Sequence, residues 1–134
     1  MNAERLAEAT GGYMDLKIKR VYEEPSADDG MRILVDRMWP RGIKKENLKM
    51  DAWEKDLAPS TELRKWYAHD LKKYGEFRNR YFEELDSNRN ATDFLNRIKD
   101  YNGSVTLLFS AKDTEHSNAA VLSEWLRKNN YNTN

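Results

Sequence analysis

Two short runs of consecutive apolar residues constrain the fold of this chain more than any other feature. Ile33, Leu34 and Val35 form the first run, and the second extends from Val105 to Phe109. Strands that are buried on both faces carry such unbroken runs, as the strands of parallel sheets do. A parallel pair needs a long crossover, and the segment between the two runs has helical patterns. The sequence therefore predicts a single α/β domain with a small, mainly parallel sheet flanked by helices.

The rest of the chain supplies an edge strand, several helices and two terminal segments. Residues 16–22, "LKIKRVY", alternate apolar and basic side chains, which predicts a strand with one face in water at the edge of the sheet. Residues 1–13 are interpreted as a loosely held extension with a short helix at 3–9, 14–130 as the domain and 131–134 as a tail. Apolar spacing and start signals predict helices within 47–57, after Pro59-Ser60, over 70–85, around Phe94–Tyr101 and over 114–128.

Composition excludes several classes of protein. The 134-residue chain has no cysteine, so disulfides, thiolate nucleophiles and cysteine metal sites are absent. It has 23 basic and 23 acidic residues, and this balance argues against a broad nucleic-acid footprint. No stretch approaches the roughly 20 apolar residues of a membrane helix, and the first residues do not form a secretory signal. We therefore expect a cytoplasmic domain that has no membrane partner.

Two polar loops follow the predicted central strands and mark the candidate site. "DRMWPRG" occupies residues 36–42, and "SAKDTEHSN" occupies residues 110–118. Ligands of open parallel sheets bind beyond the carboxyl ends of the strands. If the two runs are parallel neighbours, both loops open onto the same rim of the sheet.

The residue types at this rim suit an anionic ligand. Arg37, Arg41 and Arg64 can each make paired hydrogen bonds to a phosphate or a carboxylate. Asp36 or Asp113 is the candidate base or orienting acid, and His116 is the candidate for proton transfer because imidazole titrates near neutral pH. Further candidate ligand-binding residues are Ser60 and Thr61, at the start of a predicted helix, and Ser110 in the second loop.

Each of these residues also has a structural interpretation. Asp36 and Arg37 can hold the turn, and Trp39 before Pro40 can anchor it to the core. Ser60 and Asp113 can cap helices. In that alternative the motifs form a buried lattice of ion pairs around Trp39, with no open cleft beside it.

Several common chemistries lack their motifs. No glycine-rich phosphate loop and no G-x-S-x-G turn is present. The two histidines are far apart in sequence and do not make a zinc site. We therefore expect neither a metal nor a cofactor.

Three separated segments together resemble one family. "LVDRMWPRG" (34–42), "DLAPSTELRKWYAHD" (56–70) and "VTLLFSAKDTEHSNAAVL" (105–122) are similar to the DUF488 family, in its branch of short YeaO-like bacterial proteins. The similarity runs from about Lys17 to Leu126. It implies a small bacterial α/β protein and supports the rim, but it implies no reaction because the family is named for its unknown function.

The chain departs from the family pattern at two places. The pattern has "YAA" where this chain has Phe109-Ser110-Ala111, and "HNHA" where it has His116-Ser117-Asn118-Ala119. Asn118 therefore stands in place of a second histidine, which weakens any mechanism that uses a histidine pair. Two functions remain open: an enzyme acting on a phosphate- or carboxylate-bearing substrate, and a non-catalytic module that senses an anion or a partner protein.

Overall fold

A four-stranded sheet, parallel throughout, lies at the centre of the structure. The structure is a computed structural model that describes residues 15–132. The strands lie in the order β1, β4, β2, β3, so that β4 pairs with both β1 and β2. This central position buries all of β4, as its apolar run predicts. The bounds are Leu16–Arg20 for β1, Met31–Leu34 for β2, Ala52–Trp53 for β3 and Val105–Phe109 for β4.

Within residues 15–132, four α-helices complete the fold and cover the sheet. Tyr81, Phe77 and Phe94 are fully buried in the larger core, between the helices and the sheet. A smaller cluster that includes Leu34 and Leu108 forms a second core with the loop residues. Both faces of the sheet are therefore covered, and the α/β prediction is confirmed. The bounds are Thr61–Tyr67 for α1, Tyr74–Asp86 for α2, Arg89–Lys99 for α3 and Asn118–Asn132 for α4.

The prediction of a helix within residues 47–57 is wrong. Two 3-10 turns, Lys45–Asn47 and Lys55–Leu57, flank the short strand β3 there. β3 exists because its backbone pairs with β2, in a register that places Ala52 beside Ile33. Such a pairing is a tertiary contact, so the local apolar pattern does not reveal it.

Two helices begin later than predicted, and one predicted residue lies beyond its helix. Asp70 accepts a hydrogen bond from the Lys72 amide and caps a 3-10 turn, after which α2 begins at Tyr74 instead of residue 70. The last helix begins at Asn118 instead of residue 114. Tyr101 follows α3, and the first two residues of the predicted 131–134 tail belong to α4. The predicted extension at 1–13 lies outside the described residues.

A buried carboxylate forms ion pairs with the basic face of β1 at the amino end of the sheet. Asp29 is 1% exposed and forms ion pairs with Arg32 and with Lys19, whose Nζ lies 3.2 Å from Asp29 Oδ1. Lys17 Nζ is 3.4 Å from the same oxygen. Burial alone would raise the pKa of Asp29, but hydrogen bonds from the Ser26 amide, Lys19 and Arg32 outweigh it and lower the pKa to about 2.

The turn into β2 requires a glycine. Gly30 has φ +62°, and a Cβ at this position would lie 2.1 Å from the Ser104 carbonyl oxygen. The turn thus passes directly against the residue that precedes β4. This close approach fixes the register in which β2 and β4 begin.

We predict that Asp29→Asn lowers the free energy of unfolding at neutral pH by about 3 kcal/mol, because it leaves the buried Arg32 without its carboxylate. The folded pKa of Asp29 is depressed from 3.8 to about 2, so its stabilisation is present above pH 3.8 and is lost as the pH falls through about 2. Wild-type protein should lose roughly 2 kcal/mol over that window through this group. Urea unfolding at several pH values measures both effects.

Asp28→Asn is the matched control, since Asp28 is the exposed neighbour in the same 3-10 turn. This variant should keep the wild-type stability and its acid dependence. Equal losses in the two variants would contradict the assignment of the buried ion cluster to Asp29.

Candidate functional site

A cleft of about 510 Å³ opens at the carboxyl ends of β2 and β4. Its walls come from the loop after β2, the loop after β4, and α1 with the residues around it. The two polar loops therefore meet at one rim, as the sequence predicts. The predicted site residues that line the cleft are Asp36, Arg37, Arg41, Arg64, Ser110 and His116.

The Asp36 carboxylate joins the three segments that build the back of the cleft. Oδ2 accepts hydrogen bonds from the Ser110 amide at 2.9 Å and from Ser110 Oγ at 2.8 Å. Oδ1 accepts a hydrogen bond from Asn118 Nδ2 at 3.2 Å. Burial raises the pKa of Asp36, and the hydrogen bonds from Ser110 and Asn118 offset part of that rise. Asp36 thus ties the end of β2 to the end of β4 and the start of α4.

Arg37 and Arg20 line the cleft, and their guanidinium groups donate hydrogen bonds to backbone carbonyl groups. Arg37 donates from Nε to the Pro59 oxygen and from Nη2 to the Ala58 oxygen, both at 3.3 Å. Arg20 donates to the carbonyl oxygens of Ser110 and Ala111 at 2.8 and 2.9 Å. Both guanidinium groups hold the walls in place while adding positive charge to the cleft.

Three other cationic side chains of the cleft lack a carboxylate partner. Arg41 and Lys112 are exposed, and neither side chain makes a hydrogen bond or an ion pair within residues 15–132. Arg64 is also exposed and donates only to the Met38 sulfur, at 3.4 Å. These three groups are available to an anion.

His116 stands at the cleft with a carboxylate behind it. Its Nδ1 lies 2.8 Å from Asp113 Oδ2, and Asp113 Oδ1 also accepts a hydrogen bond from the His116 amide. Tyr74 packs edge-on against the imidazole, with 4.7 Å between the ring centroids. The buried Tyr67 donates from its hydroxyl to the His116 carbonyl at 2.9 Å. The arrangement fixes the imidazole in orientation.

Asp113 does not cap the last helix, contrary to the alternative interpretation. The cap is Ser117, whose Oγ accepts a hydrogen bond from the Ala120 amide at 3.1 Å. Asp113 instead closes the turn that carries His116. Because α4 begins at Asn118, His116 precedes the helix and does not lie one turn into it.

Ser60 and Thr61 do not line the cleft. Ser60 caps α1, as its structural interpretation predicts, since its Oγ accepts a hydrogen bond from the Leu63 amide. Both its hydroxyl and its amide also donate to the Glu84 carboxylate, at 2.6 and 2.8 Å. These donors hold α1 against α2.

Lys112 lies in the second polar loop, so the sequence places it at the rim without assigning it a role. Four other titratable residues line the cleft outside the predicted site: Arg20, Tyr22, Tyr67 and His69. Arg20 ends β1, and a parallel pairing of β1 with β4 would have revealed it. His69 follows α1, in a left-handed backbone conformation that no glycine or other turn signal in the sequence predicts. Ala68 and His69 both have positive φ, 45° and 57°, which costs a non-glycine residue about 1–2 kcal/mol.

The described residues contain neither a metal-binding cluster nor a membrane-spanning helix. Between residues 15 and 132, no group of three or more His, Asp and Glu side chains could hold a metal ion. No helix in that same range is both long enough and apolar enough to cross a membrane.

A family model and several relatives match most of this chain. The family model described as "Inactive DUF488-N3 subclade" matches residues 15–134. The uncharacterized protein YeaO of Escherichia coli strain K12 is 46% identical over 114 residues, which cover 85% of this chain and 98% of YeaO. The uncharacterized protein Rv3073c of Mycobacterium tuberculosis strain H37Rv is 41% identical over 113 residues, covering 83% of this chain and 92% of the relative. No solved structure matches the chain significantly.

We predict that Asp36→Ala lowers the free energy of unfolding by about 2 kcal/mol, because it leaves the amide and hydroxyl of Ser110 without their acceptor. Asp113→Ala, at the same rim, removes only exposed contacts and should change stability by no more than about 0.5 kcal/mol. Chemical denaturation of both variants measures the difference. Equal stability losses would show that Asp36 does not hold the three segments together.

Proposed function

The chain belongs to the DUF488 family, and on that premise we propose that it is a cytoplasmic, non-catalytic module that binds a small anion in its cleft. The proposed anion carries a phosphate or a carboxylate group, because arginine can make paired hydrogen bonds to either. Arg41, Arg64 and Lys112 are its binding residues. Arg20 and Arg37 shape the walls and add to the positive potential.

One observation supports this proposal most directly. The cleft has an excess of positive charge, although the chain as a whole has no net charge. Formal net charge is zero, yet among the described residues five lining side chains are Arg or Lys and one is a carboxylate. That carboxylate, Asp36, already accepts three hydrogen bonds. A concave site lined by one sign of charge focuses the electrostatic field and raises the local concentration of the opposite ion.

The state of the polar groups favours binding without turnover. The Ser110 hydroxyl donates to Asp36, and the same carboxylate accepts from the Ser110 amide and from Asn118, so this hydrogen bond is part of the network that holds the cleft together. Asn118 uses its amide to hold Asp36 and Val35, in the place where the family pattern has a histidine. The description of the matching family model as an inactive subclade agrees with this arrangement.

A catalytic function is the second candidate, and the His116–Asp113 pair favours it. A histidine oriented by a carboxylate is the usual form of a general acid or base. If the protein catalyses a reaction, His116→Gln should abolish product formation in a mixture of phosphate and carboxylate esters followed by NMR. Binding of an anion with no product in wild-type protein would select the non-catalytic proposal.

We predict saturable binding of inorganic phosphate or citrate to the wild-type protein, observed by NMR titration of backbone amides. Arg41→Ala should weaken binding about tenfold, because a charge-assisted hydrogen bond contributes about 1.5–3 kcal/mol. Binding should also weaken with added salt, since exposed charges are screened.

Arg89→Ala is the matched control for Arg41→Ala. Arg89 is an exposed arginine at the start of α3 and does not line the cleft. Its removal should leave the affinity for either anion unchanged. Equal losses in the two variants, or no saturable binding of either anion, would contradict the proposed function.

A further inference from the structure

Large apolar side chains that face water concentrate at the cleft. Among the described residues, four large apolar side chains are well exposed: Tyr22 at 47%, Met38 at 62%, Leu71 at 57% and Tyr101 at 43%. Tyr22 and Met38 both line the cleft. An anion site needs only cations and donors, so these two side chains have no role in holding an inorganic anion.

Each of these apolar side chains lies beside a cation of the cleft. The Arg20 guanidinium carbon lies 4.8 Å from the centroid of the Tyr22 ring, and the Tyr22 hydroxyl donates to the Arg41 carbonyl at 2.8 Å. Arg64 Nη1 lies 3.4 Å from the Met38 sulfur. Apolar surface and positive charge are thus adjacent at two places in the cleft, which suits a ligand that has both characters.

The other aromatic residues of the cleft are already packed against protein. Tyr67 stacks on Phe77 with 4.0 Å between centroids, and Trp39 meets Trp53 edge-on at 5.5 Å. Trp39 also donates from its indole nitrogen to the Ile43 carbonyl. Tyr22 and Met38 therefore provide the apolar contact surface that remains exposed.

The size of the cleft agrees with an organic ligand. Its volume of about 510 Å³ lies within the range of about 300–1,000 Å³ that is typical of pockets for small organic molecules. An inorganic anion bound by Arg41 and Lys112 would leave most of this volume to water.

We propose that the ligand is an organic anion with a planar ring, which packs between Tyr22 and Met38 while its phosphate or carboxylate group contacts Arg41, Arg64 and Lys112. A ring suits these walls better than a flexible chain. Tyrosine rings stack on planar groups, and a methionine thioether makes favourable contacts with aromatic rings. This inference rests on the proposed function and assigns the substrate class of the same site.

Isothermal calorimetry with two probes tests the inference, with phenyl phosphate as the organic anion and inorganic phosphate as the bare one. Phenyl phosphate should bind about tenfold more tightly to wild-type protein, as expected for one added stacking contact. Inorganic phosphate should displace it, and Arg41→Ala should weaken both probes.

Met38→Ala separates the contact with the ring from the contact with the anion. Because Met38 is 62% exposed, its truncation should leave the fold intact. The variant should weaken phenyl phosphate several-fold more than inorganic phosphate, because inorganic phosphate is affected only through the Arg64 contact with the Met38 sulfur. Leu71→Ala, an equally exposed apolar residue outside the cleft, is the control and should change neither affinity.

The outcomes distinguish the two proposals. If both probes bind through Arg41 with equal affinity, or if Met38→Ala weakens both alike, the planar-ring inference is wrong and anion binding stands. If neither probe binds, or if Arg41→Ala has no effect on either, the anion-binding function itself is wrong. Tighter binding of phenyl phosphate that depends on both Arg41 and Met38 supports both proposals.

Discussion

The hydrogen bonds of one carboxylate organise the functional end of this molecule. Asp36 follows β2 directly and accepts hydrogen bonds from Ser110, after β4, and from Asn118, at the start of α4. Both partners lie more than seventy residues after Asp36 in sequence, yet all three residues line the cleft. The sheet places Asp36 and Ser110 at adjacent strand ends, and the carboxylate then fixes the loops relative to each other. The positions of Arg37, Arg41 and His116 follow from that arrangement.

The charged side chains at the two ends of the sheet differ in whether they have partners of opposite charge. At the amino end, Lys17, Lys19 and Arg32 share the buried carboxylate of Asp29, so the basic side chains of β1 have an acidic partner. At the carboxyl end, Asp36 is the one carboxylate among the described lining residues and accepts hydrogen bonds from Ser110 and Asn118, while Arg41 and Lys112 form no ion pair with a described residue. A chain with balanced charge can therefore present a basic cleft. Bulk composition argues against a broad nucleic-acid surface, but it cannot detect this local excess.

Much of the fold and part of the site could be predicted from the sequence. The apolar runs at Ile33–Val35 and Val105–Phe109 identify the buried parallel strands, and the rule that ligands bind at strand ends then brings Asp36 and Ser110 together. Tertiary contacts decide the rest. β3 exists through its pairing with β2, and Arg20 reaches the cleft only because β1 pairs with β4. The sequence also cannot tell whether an arginine donates to backbone carbonyls, as Arg37 does, or stays free, as Arg41 does.

The central claim is that the free cations of the cleft hold the anionic group of an organic ligand. A crystal structure of the protein with phenyl phosphate tests it most directly. We expect the phosphate group within hydrogen-bond distance of the Arg41 guanidinium and the Lys112 ammonium, with the ring against Tyr22 and Met38. A phosphate group bound elsewhere on the surface, with the cleft filled only by water, would contradict the claim.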